Sequence, residues 1–179
     1  KHGRVLWNKA HGIDNTPIVP YTERKSISTE TTFETDTIDM AKLKSVLKAM
    51  VEKLGFKLRQ EHKLTACISV KIRYSDFETI SKQTHIPHTS SDNLLIAQAI
   101  DLFERLYVRR LMIRLVGVRL SKLALGYYQV SLFNDTQEEI SLCRAMDQIN
   151  DKYGAGVLTR ASTLDANPRL RYDLNIFSG

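Results

Sequence analysis

Lys71 and Arg73 stand two residues apart in the run Cys67-Ile68-Ser69-Val70-Lys71-Ile72-Arg73-Tyr74, with Ser69 in the same phase. Arg119 occupies a similar setting in the run Ile113–Leu120. In an extended chain, two-residue spacing sends side chains to one side. Ammonium, guanidinium and hydroxyl groups, together with strand N–H groups, are the donors that phosphate oxygens accept from, and such contacts give position and affinity without reading base sequence. The formal net charge of +6, from 26 Lys+Arg against 20 Asp+Glu, suits a polyanionic partner.

Other chemistries find less to work with. Asp36 and Asp39 are three apart but sit where a helix begins, so capping accounts for them. His85 and His88 flank Ile86-Pro87 in a loop, and the five histidines form no convincing zinc ligand set. Cys67 and Cys143 lie far apart, outside any CxxC spacing, and read as free thiols in a reducing compartment. There is no glycine-rich phosphate loop and no defensible Ser/His/Asp or Cys/His arrangement. The expectation is therefore no catalytic residue, no metal site and no cofactor in this chain. No apolar run approaches a membrane span and no segment has signal-peptide form, so a cytoplasmic location without a membrane partner is expected. The chain opens at Lys1 without Met, which suggests a longer parent protein.

The elements that would position the basic residues follow from periodicity. Residues 4–10 look like the last turns of a helix stopped at His11-Gly12, and Pro17 and Pro20 mark an extended linker. Arg24–Phe33, rich in Thr, Ser and Ile, suits a strand. Asp36 or Thr37 can cap a helix striped by Leu43, Val46, Leu47, Met50, Val51 and Leu54. Leu64–Tyr74 alternates cleanly: Ala66, Ile68, Val70, Ile72 and Tyr74 on a buried face, Cys67, Ser69, Lys71 and Arg73 on a wet one. Ser75-Asp76 turns the chain into a second strand, Thr79–Ile86, ended by Pro87. Ser90 or Ser91 caps a helix striped by Leu95, Ile96, Ala99, Ile100, Phe103 and Leu106, and Ile113–Leu120 is the fourth strand. In that strand Arg114 falls in the Val116 register, so it marks a bulge or the strand entrance.

The fold class is thus α+β: a βαββαβ four-stranded sheet with two helices on one face, plus a C-terminal helical extension. In the extension, Thr136 with Glu139 reads as a capping box before a helix to about Tyr153. Val157–Leu164 suits a short strand, and the last fifteen residues suit a loosely held tail.

The uncovered sheet face admits several readings. An RRM-like module would bind single-stranded RNA, but needs aromatic side chains there for bases to stack on, and none falls at the central positions. A ferredoxin-like regulatory domain could dimerise through the same face. A phosphate backbone suits the basic and hydroxyl residues better.

Longer motifs carry a resemblance. Arg24-Lys25-Ser26-Ile27-Ser28 with Thr32-Phe33 resembles the opening strand of the little-finger domain of Y-family (translesion) DNA polymerases. Arg73-Tyr74-Ser75-Asp76-Phe77 resembles that domain's central hairpin, and Arg114–Ser121 its last strand. Gly12-Ile13-Asp14 with Pro17 and Val19 resembles the end of the thumb and the tether beyond it. The match is closest to the bacterial DNA polymerase IV branch and covers residues 3–123.

The resemblance implies a division into a thumb end (1–13), a linker (14–23), a little finger (24–123), a clamp-binding segment (124–134) and an extension (135–179). It implies that the open face grips primer–template DNA through Lys25, Ser26, Ser28, Lys71, Arg73, Thr79, Ser81, Arg119 and Ser121. Ser28 departs from the family, which usually has glycine there. Gln129-Val130-Ser131-Leu132-Phe133 resembles the peptide by which bacterial polymerases bind the sliding clamp, with Gln129, Ser131, Leu132 and Phe133 as its contacts, although such peptides usually stand near the chain terminus. By the same resemblance, the parent would be a DNA-directed DNA polymerase using Mg2+. Its palm motifs are absent from this sequence, so the fragment itself would not be an enzyme and would work with the palm, fingers and thumb of the same chain.

Overall fold

The computed structural model describes residues 2–14, 16–18, 23–126, 136–154, 156–164 and 166. Helix α1 (His2–Ala10) ends where Gly12 takes a φ of 72°, a conformation glycine adopts without steric cost, and buries none of its residues. The body follows as β1 (Ser26–Thr37), α2 (Met40–Gln60), β2 (Lys63–Tyr74), β3 (Thr79–Thr89), α3 (Asp92–Leu106) and β4 (Ile113–Leu125). Helix α4 (Thr136–Tyr153) and a short 3-10 turn (Ala161–Thr163) complete it.

The sheet has the order β1-β4-β2-β3, with every neighbouring pair antiparallel. Each helix therefore joins two parallel strands that have a third strand between them, the split βαβ arrangement expected. Helices α2 and α3 cover one face. Ile68, Val70, Ile72 and Tyr74 of β2 and Val116, Val118 and Leu120 of β4 are all but fully buried against Leu43, Leu47, Met50 and Leu54 of α2 and Leu95, Ala99 and Phe103 of α3. Each such side chain contributes about 1.5–3 kcal/mol on burial, so this layer is what holds the sheet in place.

Several expectations need correcting. The cap of α2 is Asp39, not Asp36 or Thr37: its carboxylate accepts from Ala41 N (2.9 Å) and Lys42 N (3.1 Å), while Thr37 Oγ1 accepts from Asp39 N and Asp36 pairs with Arg114. Of the two serines, Ser91 caps α3. Strand β3 runs past Pro87 to Thr89, because an edge strand tolerates a residue without an N–H and the register with β2 slips there. Arg114 is a bulge: Tyr74 faces Ile113 and Arg73 faces Leu115, so Arg114 has no opposite number on β2. Residues 157–164 form no strand; Thr163 Oγ1 donates to Arg160 O at 2.8 Å, a local bond that favours a turn. Cys67 is buried, a small side chain on a central strand between Ser121 and His85, so the wet part of β2 begins at Ser69. The tail beyond Ala166 lies outside the described residues.

Helix α4 is fastened to the helix layer by charge. Arg59 donates to Asp92 (2.8 Å), Asp147 (2.6 Å) and the Ser90 carbonyl (2.9 Å). Burial works against its charge, but the two carboxylates hold the guanidinium above its usual range; burial likewise pushes the Asp92 carboxyl up, with Arg59 opposing. Gly55 makes room, since a Cβ there would lie 2.1 Å from Asp92 Oδ1. Glu139 turns toward α3, accepting from Ser91 and Asn93.

Candidate nucleic-acid interface

Strand pairing arranges the open face as four rows of four. Running from β1 through β4 and β2 to β3, they are Ser26–Ser121–Cys67–His85, then Ser28–Arg119–Ser69–Gln83. The next two are Glu30–Gly117–Lys71–Ser81 and Thr32–Leu115–Arg73–Thr79. Eight of the nine residues expected to contact DNA fall on this grid: Ser26, Ser28, Lys71, Arg73, Thr79, Ser81, Arg119 and Ser121. The ninth, Lys25, immediately precedes β1 and is exposed, outside the paired register. No Phe, Tyr or Trp occupies any of these positions, so the large aromatic rings on which RRM-type modules stack bases are missing from the grid, and its one aromatic ring is His85 on the edge strand.

Local contacts aim the side chains. Arg119 Nη2 donates to Ser26 Oγ at 3.0 Å and Arg73 Nε donates to Thr79 Oγ1 at 2.8 Å, each holding a cation beside a hydroxyl. Between Ser26, Ser28, Glu30, Lys71, Ser81 and Arg119 lies a shallow depression of about 300 Å³. Its floor is Gly117, where a Cβ would come within 2.9 Å of Glu30 Cβ. The missing side chain clears the space over β4, and Lys71 Nζ forms an ion pair there with Glu30 Oε2. A larger depression, about 550 Å³, opens between the end of α2, the start of β2 and α4, but its charged lining includes the Arg59–Asp147 pair already engaged.

Periodicity in β2 and β4 was enough to find the central cations. It missed Glu30, Thr32, Gln83 and His85, which come from edge strands whose facing is set by pairing across the sheet. The alternation Ser28, Glu30, Thr32 was the available signal for the first of these. Gln129, Ser131, Leu132 and Phe133 lie outside the described residues.

A family model described as the impB/mucB/samB family C-terminal domain matches residues 24–132, from just before β1 to beyond the end of β4. The chain belongs to this family. A curated relative, DNA polymerase IV of Clostridium acetobutylicum, is 39% identical over 170 residues, covering 92% of this chain and 42% of the relative. DNA polymerase IV of Dehalococcoides mccartyi (strain 195) is 36% identical over 160 residues, covering 88% and 41%. The chain thus spans less than half the length of these relatives. Among solved structures, a Y-family DNA polymerase chimera matches with a TM-score of 0.53 at 24% identity, over 70% of this chain and 36% of that one, a likeness of fold. The resemblance to DNA polymerase IV drawn from the strand motifs is borne out by the impB/mucB/samB match and these relatives.

Proposed function

We propose that this impB/mucB/samB C-terminal domain grips the sugar–phosphate backbone of primer–template DNA with its open sheet face. The observation that carries the reading is the grid: Lys71, Arg73 and Arg119 set among hydroxyls on a face with no Phe, Tyr or Trp in its paired rows. In a longer polymerase it would hold the duplex while catalysis proceeds elsewhere on the chain, residues 24–123 acting as the DNA-binding unit and α1 with residues 14–23 as the thumb end and tether. Mg2+ would belong to that catalytic part. Among the described residues no group of three His, Cys, Asp or Glu is placed to hold a metal ion. No described helix is long and apolar enough to cross a membrane. The segment 124–134 would add the sliding clamp as a partner through Gln129, Ser131, Leu132 and Phe133, a role supported by its motif and by its position directly after the domain's last strand.

Binding of the 179-residue chain to a fluorescent primer–template duplex across a salt series tests the main reading. Contact with about four to six phosphates gives a slope of roughly −4 to −5 in log affinity against log salt. Unrelated duplex sequences should bind alike, and Lys71→Glu with Arg73→Glu should weaken all of them equally. A loss confined to one sequence, or no binding at low salt, contradicts the reading.

A further inference from the structure

The open face contains one carboxylate in its grid, and it is placed against a central cation. Glu30 and Lys71 flank Gly117 in a single row, one on the edge strand β1 and the other on β2. Two strands normally keep such side chains apart, because the residue between them stands in the way. Gly117 removes that obstacle, and the ammonium meets the carboxylate over the backbone of β4. The Lys71 side chain is 39% exposed and that of Glu30 53%, so solvent and solutes reach both groups. Ser81 and Arg119 border the same depression.

We propose that Glu30 is an internal competitor for phosphate: it occupies Lys71 in the free protein, and a backbone phosphate must displace it or bind beside its charge. This rests on the DNA-gripping reading above and adds to it a residue that lowers affinity at that site. A lysine already neutralised by a neighbour contributes little to counterion release when it meets a phosphate, whereas an unpaired one contributes a full site. The bridge itself is weak, as exposed pairs are, so phosphate can break it. The sheet face is thereby set to hold duplex loosely.

Salt series on the full chain with an arbitrary primer–template duplex test this. Glu30→Gln should tighten binding about three- to tenfold at low salt and steepen the salt slope by about one. In the double variant Glu30→Gln with Lys71→Gln, the slope should return to that of the unmodified chain. Glu104→Gln, which makes the same change in net charge on α3 where Glu104 pairs with Lys44, should leave affinity within about twofold. If the unmodified chain binds and Glu30→Gln binds no tighter than Glu104→Gln, the competitor role is wrong while the DNA reading stands. If neither the unmodified chain nor Glu30→Gln binds at low salt, the DNA reading falls as well.

Discussion

Gly117 shows how much a single position can set. It is buried within the open face, closely backed by Glu30 Cβ and the Thr29 carbonyl. Gly117→Ala therefore forces β1 away from β4 or displaces Glu30, at a cost of about 1–3 kcal/mol. Urea unfolding of the variant measures this, and an unchanged midpoint would mean the strands can separate freely. The sequence could not announce this role. A glycine within Arg114–Ser121 reads equally as a weak strand position or a bulge, and the actual bulge is at Arg114. By contrast, Lys71, Arg73 and Arg119 were legible from alternation alone, because β2 and β4 are central strands with one wholly apolar face. Edge residues such as Glu30 and Gln83 acquire their meaning only from partners distant in sequence.

At the level of elements, β2, α3 and most of β4 match their periodic patterns, since burial of one stripe dictates them. The ends were harder to read. Caps depend on which of several polar residues reaches the free N–H groups, and Asp39 reaches two of them where Asp36 reaches Arg114. The docking of α4 was not legible at all, because its anchor is an arginine on α2 held by carboxylates on α3 and α4. Arg59→Met leaves Asp92 buried without its cation, and removing one partner of such a pair costs about 3–5 kcal/mol. Hydrogen exchange should then show lost protection across residues 136–153 beyond any loss in the sheet. Equal loss everywhere would show that α4 is not separately fastened.

Across the whole molecule, the strand sequence βαββαβ was readable, while the spatial order β1-β4-β2-β3 was not. Hydrophobicity alone could hint that β2 and β4 lie inside. The two faces of the sheet carry separate tasks, one apolar and closed by helices, the other polar and open. On the closed side, burial pushes the Glu52 carboxyl up from 4.5 to about 7, although Arg160 Nε lies 2.9 Å away and opposes the shift. In the unfolded chain this group ionises near its usual value; in the fold it keeps its proton until about 7. Stability from this group is therefore greatest below the lower value and falls as pH rises between the two, levelling off above. Asp92, also pushed up by burial, acts in the same direction. Urea midpoints measured from about pH 4.5 to about pH 8 should decline in the unmodified chain and decline less steeply in Glu52→Gln. A slope unaltered by that substitution would assign the effect elsewhere.

The pairing of Ser26 with Ser121 has a mechanical consequence. The strand by which the chain enters the sheet lies beside the strand by which it leaves, antiparallel, with both openings at one end. Tension applied through the two flanking segments loads the β1–β4 hydrogen bonds in succession, like a zipper, and not all at once as in shear. A sheet pulled in this way gives at low force, one rung at a time, starting at the row that holds Ser26, Ser121 and Cys67. The outermost contacts on the open face would part first, while Lys71 and Arg73, two and three rows deeper, would stay in place longest.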